Sequence, residues 1–498
     1  MITGMPGAAA VVGAAFAGLA VQAATRPIDD PDVWWVAAAG RYVLATGEAP
    51  VENMYSYLEP GRPWVMHEWL FGAPYALGLE RLGPSFFALA ALGWLTIAAA
   101  LVAQATLGAC RRPVVGAALA LLGLGVFGSR LLSARPASAA MVFPAAMVLL
   151  AFAPRMTRGR ALAAVVVELL WANAHGSFPL GVVLLGAGAL EHAGGGGHGG
   201  AARDGKLRVA AAIAAAAVTL VNPYGVALHR LVLGYLAGDS GGTYSFIREH
   251  LTEFAPLWRD GGRVVGAVEV AGLALVAALA ASAAWVPRWR VRALLCAGLV
   301  GMAVSHVRHV ELCGLVAVML LAPHADALAG KLGVAARQGA PSRGLALAAL
   351  GPGVVAALVA HGAAHRERVA RGERGVAGWI APGLGGEAMV GLAEALPDGA
   401  RVFAPFKASG LLIWLTAERG VRVTRDPRND CYGREVLEAA LALDTPAEDA
   451  ATAHTRLLRA GADHLLLGPG APLRRWVEGD AAWRTVKEAH GYVLLSAR

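Results

Sequence analysis

Charge is scarce in this 498-residue sequence: Asp, Glu, Lys and Arg together make up 16%, where a soluble domain carries about 25%. That shortage excludes an ordinary water-soluble chain, because the charged residues stand in short clusters between long runs of Ala, Leu, Val and Gly. Cysteine is nearly absent. The four present (Cys110, Cys296, Cys313 and Cys431) show no CxxC or zinc-like spacing, so neither a disulfide framework nor a zinc site is written in the pattern. No glycine-rich phosphate loop, nucleophile elbow or internal repeat occurs. The net charge of +8 does not point to nucleic acid. Most basic residues of the first two-thirds sit in short loops between apolar runs, as the positive-inside rule requires.

Apolar runs of about 17–25 residues are long enough to cross a bilayer as helices. They fall near residues 5–24, 84–108, 113–131, 137–153, 160–174, 177–193, 207–222, 265–285, 291–308, 310–328 and 343–363. The first has no cleavage signature and reads as a retained span. A further stretch, 67–82, is interrupted by Pro74, Glu80 and Arg81. If it lies along the interface, every basic cluster falls on one side: Arg111/Arg112, Arg155/Arg158/Arg160, Arg203/Lys206/Arg208, Arg288/Arg290/Arg292 and Lys331/Arg337/Arg343. The pattern therefore predicts about eleven spans with the N-terminus inside and the C-terminus outside. As one helix, 291–328 would be about 57 Å long, nearly twice the hydrocarbon thickness. It is thus expected to fold as a hairpin turning at Ser305 to Glu311. The glycine run at 194–200, flanked by His192 and including His198, reads as a flexible linker.

From about residue 364 the composition becomes that of a soluble domain. Short β-like runs (401–406, 421–424, 464–468 and 492–496) alternate with helical stretches (386–396, 433–443, 449–460 and 473–478). That alternation predicts a small α/β domain. The expected fold class is mostly α: residues 1–363 form a polytopic membrane helical bundle, with an outer loop at 26–82 holding the interfacial helix. Residues 364–498 form a soluble α/β domain on the non-cytoplasmic side.

The outer loop 26–66 holds six carboxylates (Asp29, Asp30, Asp32, Glu48, Glu52, Glu59) against three arginines. The densest part, Asp29-Asp30-Pro31-Asp32-Val33-Trp34-Trp35, follows directly on the first span. A carboxylate there stays hydrated, yet borders any cavity the helices enclose, where it can act as general base or hold a divalent cation. Other polar groups gather at the same predicted membrane face. Arg135 opens the fourth span, and Trp171, Asn173 and His175 mark an outer turn. Asn222 and Tyr224 close the seventh span. His306, Arg308, His309 and Glu311 mark another turn, and His67 and Glu68 begin the interfacial helix. Glu168 lies two turns below His175 on one helix face, either a buried member of a site or a contact between helices. Each alone is as readily a turn or a cap; together they favour a site.

The order of parts (first span, acidic pair, interfacial helix in a long outer loop, bundle, outer soluble domain) resembles the GT-C superfamily of membrane glycosyltransferases. The motifs Asp30-Pro31-Asp32-Val33-Trp34-Trp35, Ser56-Tyr57, Gly61-Arg62-Pro63-Trp64 and His67-Glu68-Trp69-Leu70 resemble a bacterial group of GT-C-like multi-pass proteins. Arg135-Pro136, the Trp171–Gly176 turn, Asn222-Pro223-Tyr224-Gly225 and Asp426-Pro427-Arg428-Asn429-Asp430-Cys431-Tyr432-Gly433 fit the same group. This chain departs from it at Val36, where His is common, and at Ala174 and Ser177. The resemblance implies a polyprenyl-phosphate sugar donor and inversion at the anomeric carbon. The acceptor would be in the envelope of a bacterial inner membrane, with membrane lipid as the other partner. It also implies catalytic roles for Asp30 and Asp32, and substrate-binding roles for His67, Glu68, Arg135, His175, Asn222, Tyr224 and Arg308. The alternative is a non-catalytic protein on the same scaffold that binds lipid or polymer or organises other enzymes, since fold alone confers no activity.

Overall fold

The computed structural model describes residues 5–193, 200–239, 242–259, 265–336, 343–371 and 377–498. Most of the glycine run with His198, and Arg337 of the last basic cluster, lie outside the described residues. The fold is mostly helical with a small C-terminal sheet. It divides into two compact units: one comprises Met1–Arg26, Ala88–Gly225 and Arg248–Ala364, the other Pro27–Phe87, Val226–Ile247 and His365–Arg498. Four helices among the described residues are long and apolar enough to cross a membrane: Gly7–Thr25, Ser85–Thr106, Ala267–Ala284 and Val307–Lys331.

The first unit is all helix. Leu190, Ile213, Leu294 and Val355 face outward and exposed, a disposition that suits side chains facing hydrocarbon. Small residues let the helices close up. A Cβ on Gly188 would come within 2.4 Å of the Ala151 carbonyl oxygen, so Pro179–Ala193 and Val142–Ala151 touch at backbone. The run expected to span 113–131 is broken: an α-helix Pro113–Leu121 passes into a π-turn Leu122–Val126 and then a 3-10 turn Ser129–Leu132. The run 291–328 is a hairpin, Arg290–Ser305 and Val310–Lys331, turning through Val307–His309.

Arginines of the basic clusters clamp helix ends. Arg112 pairs with Asp326 at 3.3 Å and donates to the Val334 carbonyl, which joins the first cluster to the last. Arg208 pairs with Asp204 at 2.7 Å and donates to the carbonyls of Ala151 and Ala153, which joins the second cluster to the third. Arg292 pairs with Glu191 at 2.8 Å.

The second unit is built on a five-stranded sheet of order β2-β1-β3-β5-β4. The strands are β1 Arg401–Phe403, β2 Arg422–Val423, β3 His464–Leu467, β4 Trp483–Ala489 and β5 Tyr492–Ala497. β1 runs parallel to β2 and to β3; β5 runs antiparallel to β3 and β4. Two elements escape sequence reading. Phe406–Thr416 is a helix buried almost all round, so it shows no amphipathic period. β4 is an edge strand exposed along most of its length, with no apolar alternation. The outer loop belongs to this unit. Ile28 bridges Ile380, and Ser56 bridges Val423 at the β2 edge. The stretch beginning at His67 forms a helix Trp69–Leu82, about 21 Å long and too short to span.

Candidate functional site

The acidic motif starts a helix. Asp32–Thr46 begins straight after Pro31, whose fixed φ suits the entry to a helix. The Asp32 N–H donates to Asp30 Oδ1 at 2.9 Å, and Trp35 Nε1 donates to Asp32 Oδ1 at 3.0 Å. Both carboxylates are thereby oriented, one by backbone and one by an indole, with Trp35 packed edge-on against Trp64. Trp34 is wholly buried against Phe87. Pro31 is held from the C-terminal side as well: a Cβ on Gly410 would lie 2.3 Å from the Pro31 carbonyl oxygen, so only glycine lets the helix Phe406–Thr416 come this close.

The residue that sequence reading left without a role is Asp430. It sits in the Asp426–Gly433 motif, close enough to Asp32 for the two charges to interact. Its Oδ2 is shielded from solvent and has no hydrogen-bond partner. Burial pushes its pKa up to about 6, with Asp426 and Asp32 adding to the rise and its own backbone N–H and Arg428 opposing it. The motif is clamped to the outer loop by buried polar contacts. Arg428 and Asp426 are fully buried and paired at 2.6 Å, and Tyr432 donates to Asp426 at 2.6 Å. Arg428 also donates to Asn53 Oδ1 and lies over the rings of Trp64 and Tyr55, 4.6 and 4.9 Å from their centroids. The Gly433 N–H donates to Glu59, which Arg62 also holds. Two motifs some 370 residues apart thus form one substructure. Its only sequence signal is that both are polar, compact and rich in Asp, Pro and aromatic residues.

His67 and Glu68 stand beside each other in the same unit, 3.8 Å apart, with Glu68 buried and His67 half-buried. In the helical unit Arg135 and Arg308 converge on Glu253, at 4.0 and 3.2 Å. Arg130 and Ser129 hold Glu311 nearby. Burial alone would raise the Glu253 pKa, but Arg308, Arg135 and Arg130 outweigh it and hold the carboxyl below its usual range. Three guanidiniums against two carboxylates leave a net positive charge, suited to an anionic group such as a phosphate. Sequence reading missed Glu253, which stands in the turn Thr252–Phe254 and is the group that draws the two arginines together.

His175 ends the helix Arg158–Ala174. Its Nδ1 accepts from the Ser177 N–H at 3.2 Å and lies 2.8 Å from Ser177 Oγ. An accepting Nδ1 places the neutral ring's proton on Nε2. Asn222 closes a turn: its Oδ1 accepts from the Tyr224 N–H at 2.8 Å and its amide donates to Thr219. Asn173 reaches from the end of its own helix to the Val221 carbonyl. Glu168 is wholly buried, with both oxygens unpartnered, in space left by Gly181. It is a contact between helices, with no hydrogen bond to His175.

Asp30 and Asp32 each have one oxygen engaged as an acceptor and a second oxygen besides; two carboxylates with waters and a substrate phosphate are a donor set that a divalent cation such as magnesium uses. Among the described residues no group of three or more His, Cys, Asp or Glu is placed to hold a metal.

No family model matches the chain, and no curated protein resembles it in sequence. Solved structures do resemble it in fold. One is the crystal structure of ArnT from Cupriavidus metallidurans bound to undecaprenyl phosphate: 14% identity, TM-score 0.51, covering 98% of this chain and 97% of that one. Another is the Archaeoglobus fulgidus oligosaccharyltransferase in complex with zinc and sulfate, at 12% identity and TM-score 0.49, covering 97% of this chain and 72% of that one. The first likeness, which runs nearly the whole length of both proteins, gives this chain a GT-C-like fold, and four of its described helices are long and apolar enough to cross a membrane.

Proposed function

We propose that this protein is a glycosyltransferase of the bacterial inner membrane that moves a sugar from a polyprenyl-phosphate donor to an envelope acceptor on the non-cytoplasmic face. In this reading residues 1–363 are the membrane part and 364–498 the outer soluble domain. The observation that carries it is the acidic group: Asp30 and Asp32, oriented at a helix start, with Asp430 near enough for its charge to act on Asp32 and its pKa pushed up to about 6 by burial. Asp32 takes the proton of the acceptor hydroxyl as its oxygen bonds to the anomeric carbon, and the bond from that carbon to the phosphate oxygen breaks. The electron pair leaves with the polyprenyl phosphate. Arg135, Arg308 and His175 offset the charge growing on it, while His67, Glu68, Asn222 and Tyr224 contribute to substrate binding. The Asp430 charge acts on Asp32 as a like charge does, raising its proton affinity and so its strength as a base.

The test is transfer from a panel of polyprenyl-phosphate sugars by purified protein in liposomes. The double variant Asp30→Asn/Asp32→Asn should insert and melt as the parent does, yet lose transfer by about 100-fold or more, the usual scale for a general base. Full activity in that variant overturns the assignment. A parent protein that the donors stabilise thermally without any transfer would favour the non-catalytic alternative.

A further inference from the structure

The sheet of the second unit has a feature that the transferase reading does not use. The chain leaves β1, returns through the helix Phe406–Thr416 to β2 on one side, and then crosses to β3 on the other side of β1. The order therefore reverses between β1 and β3. In open α/β sheets, ligands bind at such a switch point, outside the carboxyl ends of the strands. A pocket of about 280 Å³ lies there, between Phe403 and Pro405 after β1 and the turn from Gly468 to Pro472 after β3. It contains none of the residues discussed above.

Its chemistry narrows the ligand. No lysine, arginine or histidine lines it, and Pro469 and Pro472 offer no N–H, so the turn cannot cradle a phosphate as a glycine-rich loop does. The floor is apolar, made by Phe403, Leu443 and Leu467, all buried. Two polar groups stand in the wall, Asp444 and Tyr492. Asp444 is about one-third exposed and is oriented by Arg425, itself nearly buried over the Phe406 ring. The Tyr492 ring lies against Gly468, where a Cβ would come within 3.2 Å of it. The volume falls just below the usual range of small-molecule sites, about 300–1,000 Å³, which is room for one ring. An apolar floor, an aromatic wall and one carboxylate that can accept from hydroxyls suit a ring with a C–H face and an O–H edge.

We propose that this switch-point pocket binds a single uncharged sugar residue. As a sugar site it rests on the pocket alone; as the seat of a saccharide acceptor it would rest on the transferase reading as well.

The experiment is a titration of the full-length protein in nanodiscs with neutral methyl hexosides and their 6-phosphates, followed by saturation-transfer NMR. A diazirine-bearing neutral hexoside, photolysed and mapped by peptide mass spectrometry, gives the location. At least one neutral hexoside should saturate the protein. Its 6-phosphate should bind at least about tenfold more weakly, repelled by Asp444. Label should appear in the peptides holding Gly468 to Leu473 or Tyr492. Ala471→Phe, which fills the pocket, should abolish the label, and Asp444→Ala should weaken binding by about tenfold. Asp30→Asn/Asp32→Asn should bind the hexoside as the parent does, so a failed transferase assignment would leave this result standing. No saturable binding by any hexoside, label elsewhere, or tighter binding of the phosphates would each overturn the proposal. Should either pocket variant fail to fold, the labelling site in the parent protein decides.

Discussion

Asp430 carries the functional argument at the scale of single residues, because its surroundings oppose the charge its side chain ordinarily bears. With a folded-state pKa near 6, the folded chain holds more protons than the unfolded chain between about pH 4 and pH 6. Stability therefore falls as pH rises across that window and stays depressed above it. Asp430→Asn removes the penalty. We expect that variant to be more stable than the parent at pH 7–8 by roughly 3 kcal/mol, the gain vanishing by about pH 4, as read from melting curves at several pH values. On the proposed role of Asp430 the same change should lower transfer activity, because it removes the charge that raises the proton affinity of Asp32. A variant that gains stability and full activity together would return Asp430 to a structural role. The Asp426–Arg428 pair contrasts with it. There the two charges are paired with each other and supported by a phenol, an amide and two aromatic faces, although Arg428 Nη1 is buried without a hydrogen-bond partner. In the sequence both aspartates read alike; what tells them apart is that Arg428 and Tyr432 bond Asp426, while Asp430 Oδ2 has no hydrogen-bond partner.

Helices are placed by close approach more than by length. The helix Asp32–Thr46 crosses Trp69–Leu82 at Gly40 and Gly72, and a Cβ on Gly40 would fall 1.9 Å from the Gly72 carbonyl oxygen. Backbone cannot yield as a flexible side chain can, so Gly40→Ala must separate the two helices. We expect a loss of about 3 kcal/mol, the upper range of overpacking, seen as a lower melting temperature. Loss of transfer should accompany it, since Asp32 heads the first helix. Gly18→Ala, with nothing within 4 Å, should be neutral or slightly stabilising. An unchanged melting temperature in Gly40→Ala would mean that the crossing is looser than this contact implies. Helical stretches with a period or a cap, such as 433–443 and 449–460, were legible in sequence and correspond to Arg434–Asp444 and Ala450–Ala460. Phe406–Thr416 was not, since burial on every side removes the pattern on which such a reading depends.

For the molecule as a whole the decisive pattern is charge against apolar length. Contacts within the helical unit join the cluster at Arg112 to Asp326 and Val334, and Arg208 to the carbonyls before Arg155. If the positive-inside rule orients the chain, a reporter inserted between Arg155 and Arg158 should read as cytoplasmic, and one fused after Arg498 as non-cytoplasmic. Both reporters on one side would mean that a span has been miscounted.

What the sequence alone determined was the alternation of apolar runs and basic loops, the hairpin and the small C-terminal α/β domain, but not the ends of every helix, since the run 113–131 is broken. Apolar length, scarce charge and basic loops follow from hydration energies that act locally, so they can be read without a structure. The hairpin at Ser305 to Glu311 and the alternation after residue 364 were legible for the same reason. What only the tertiary structure decided was which polar residues meet. Asp430 beside Asp32, Arg428 over Trp64, and Glu253 between Arg135 and Arg308 are pairings across long stretches of chain. A carboxylate's role depends on the burial and charge around it, and those are supplied by residues hundreds of positions away, brought there when the apolar elements pack.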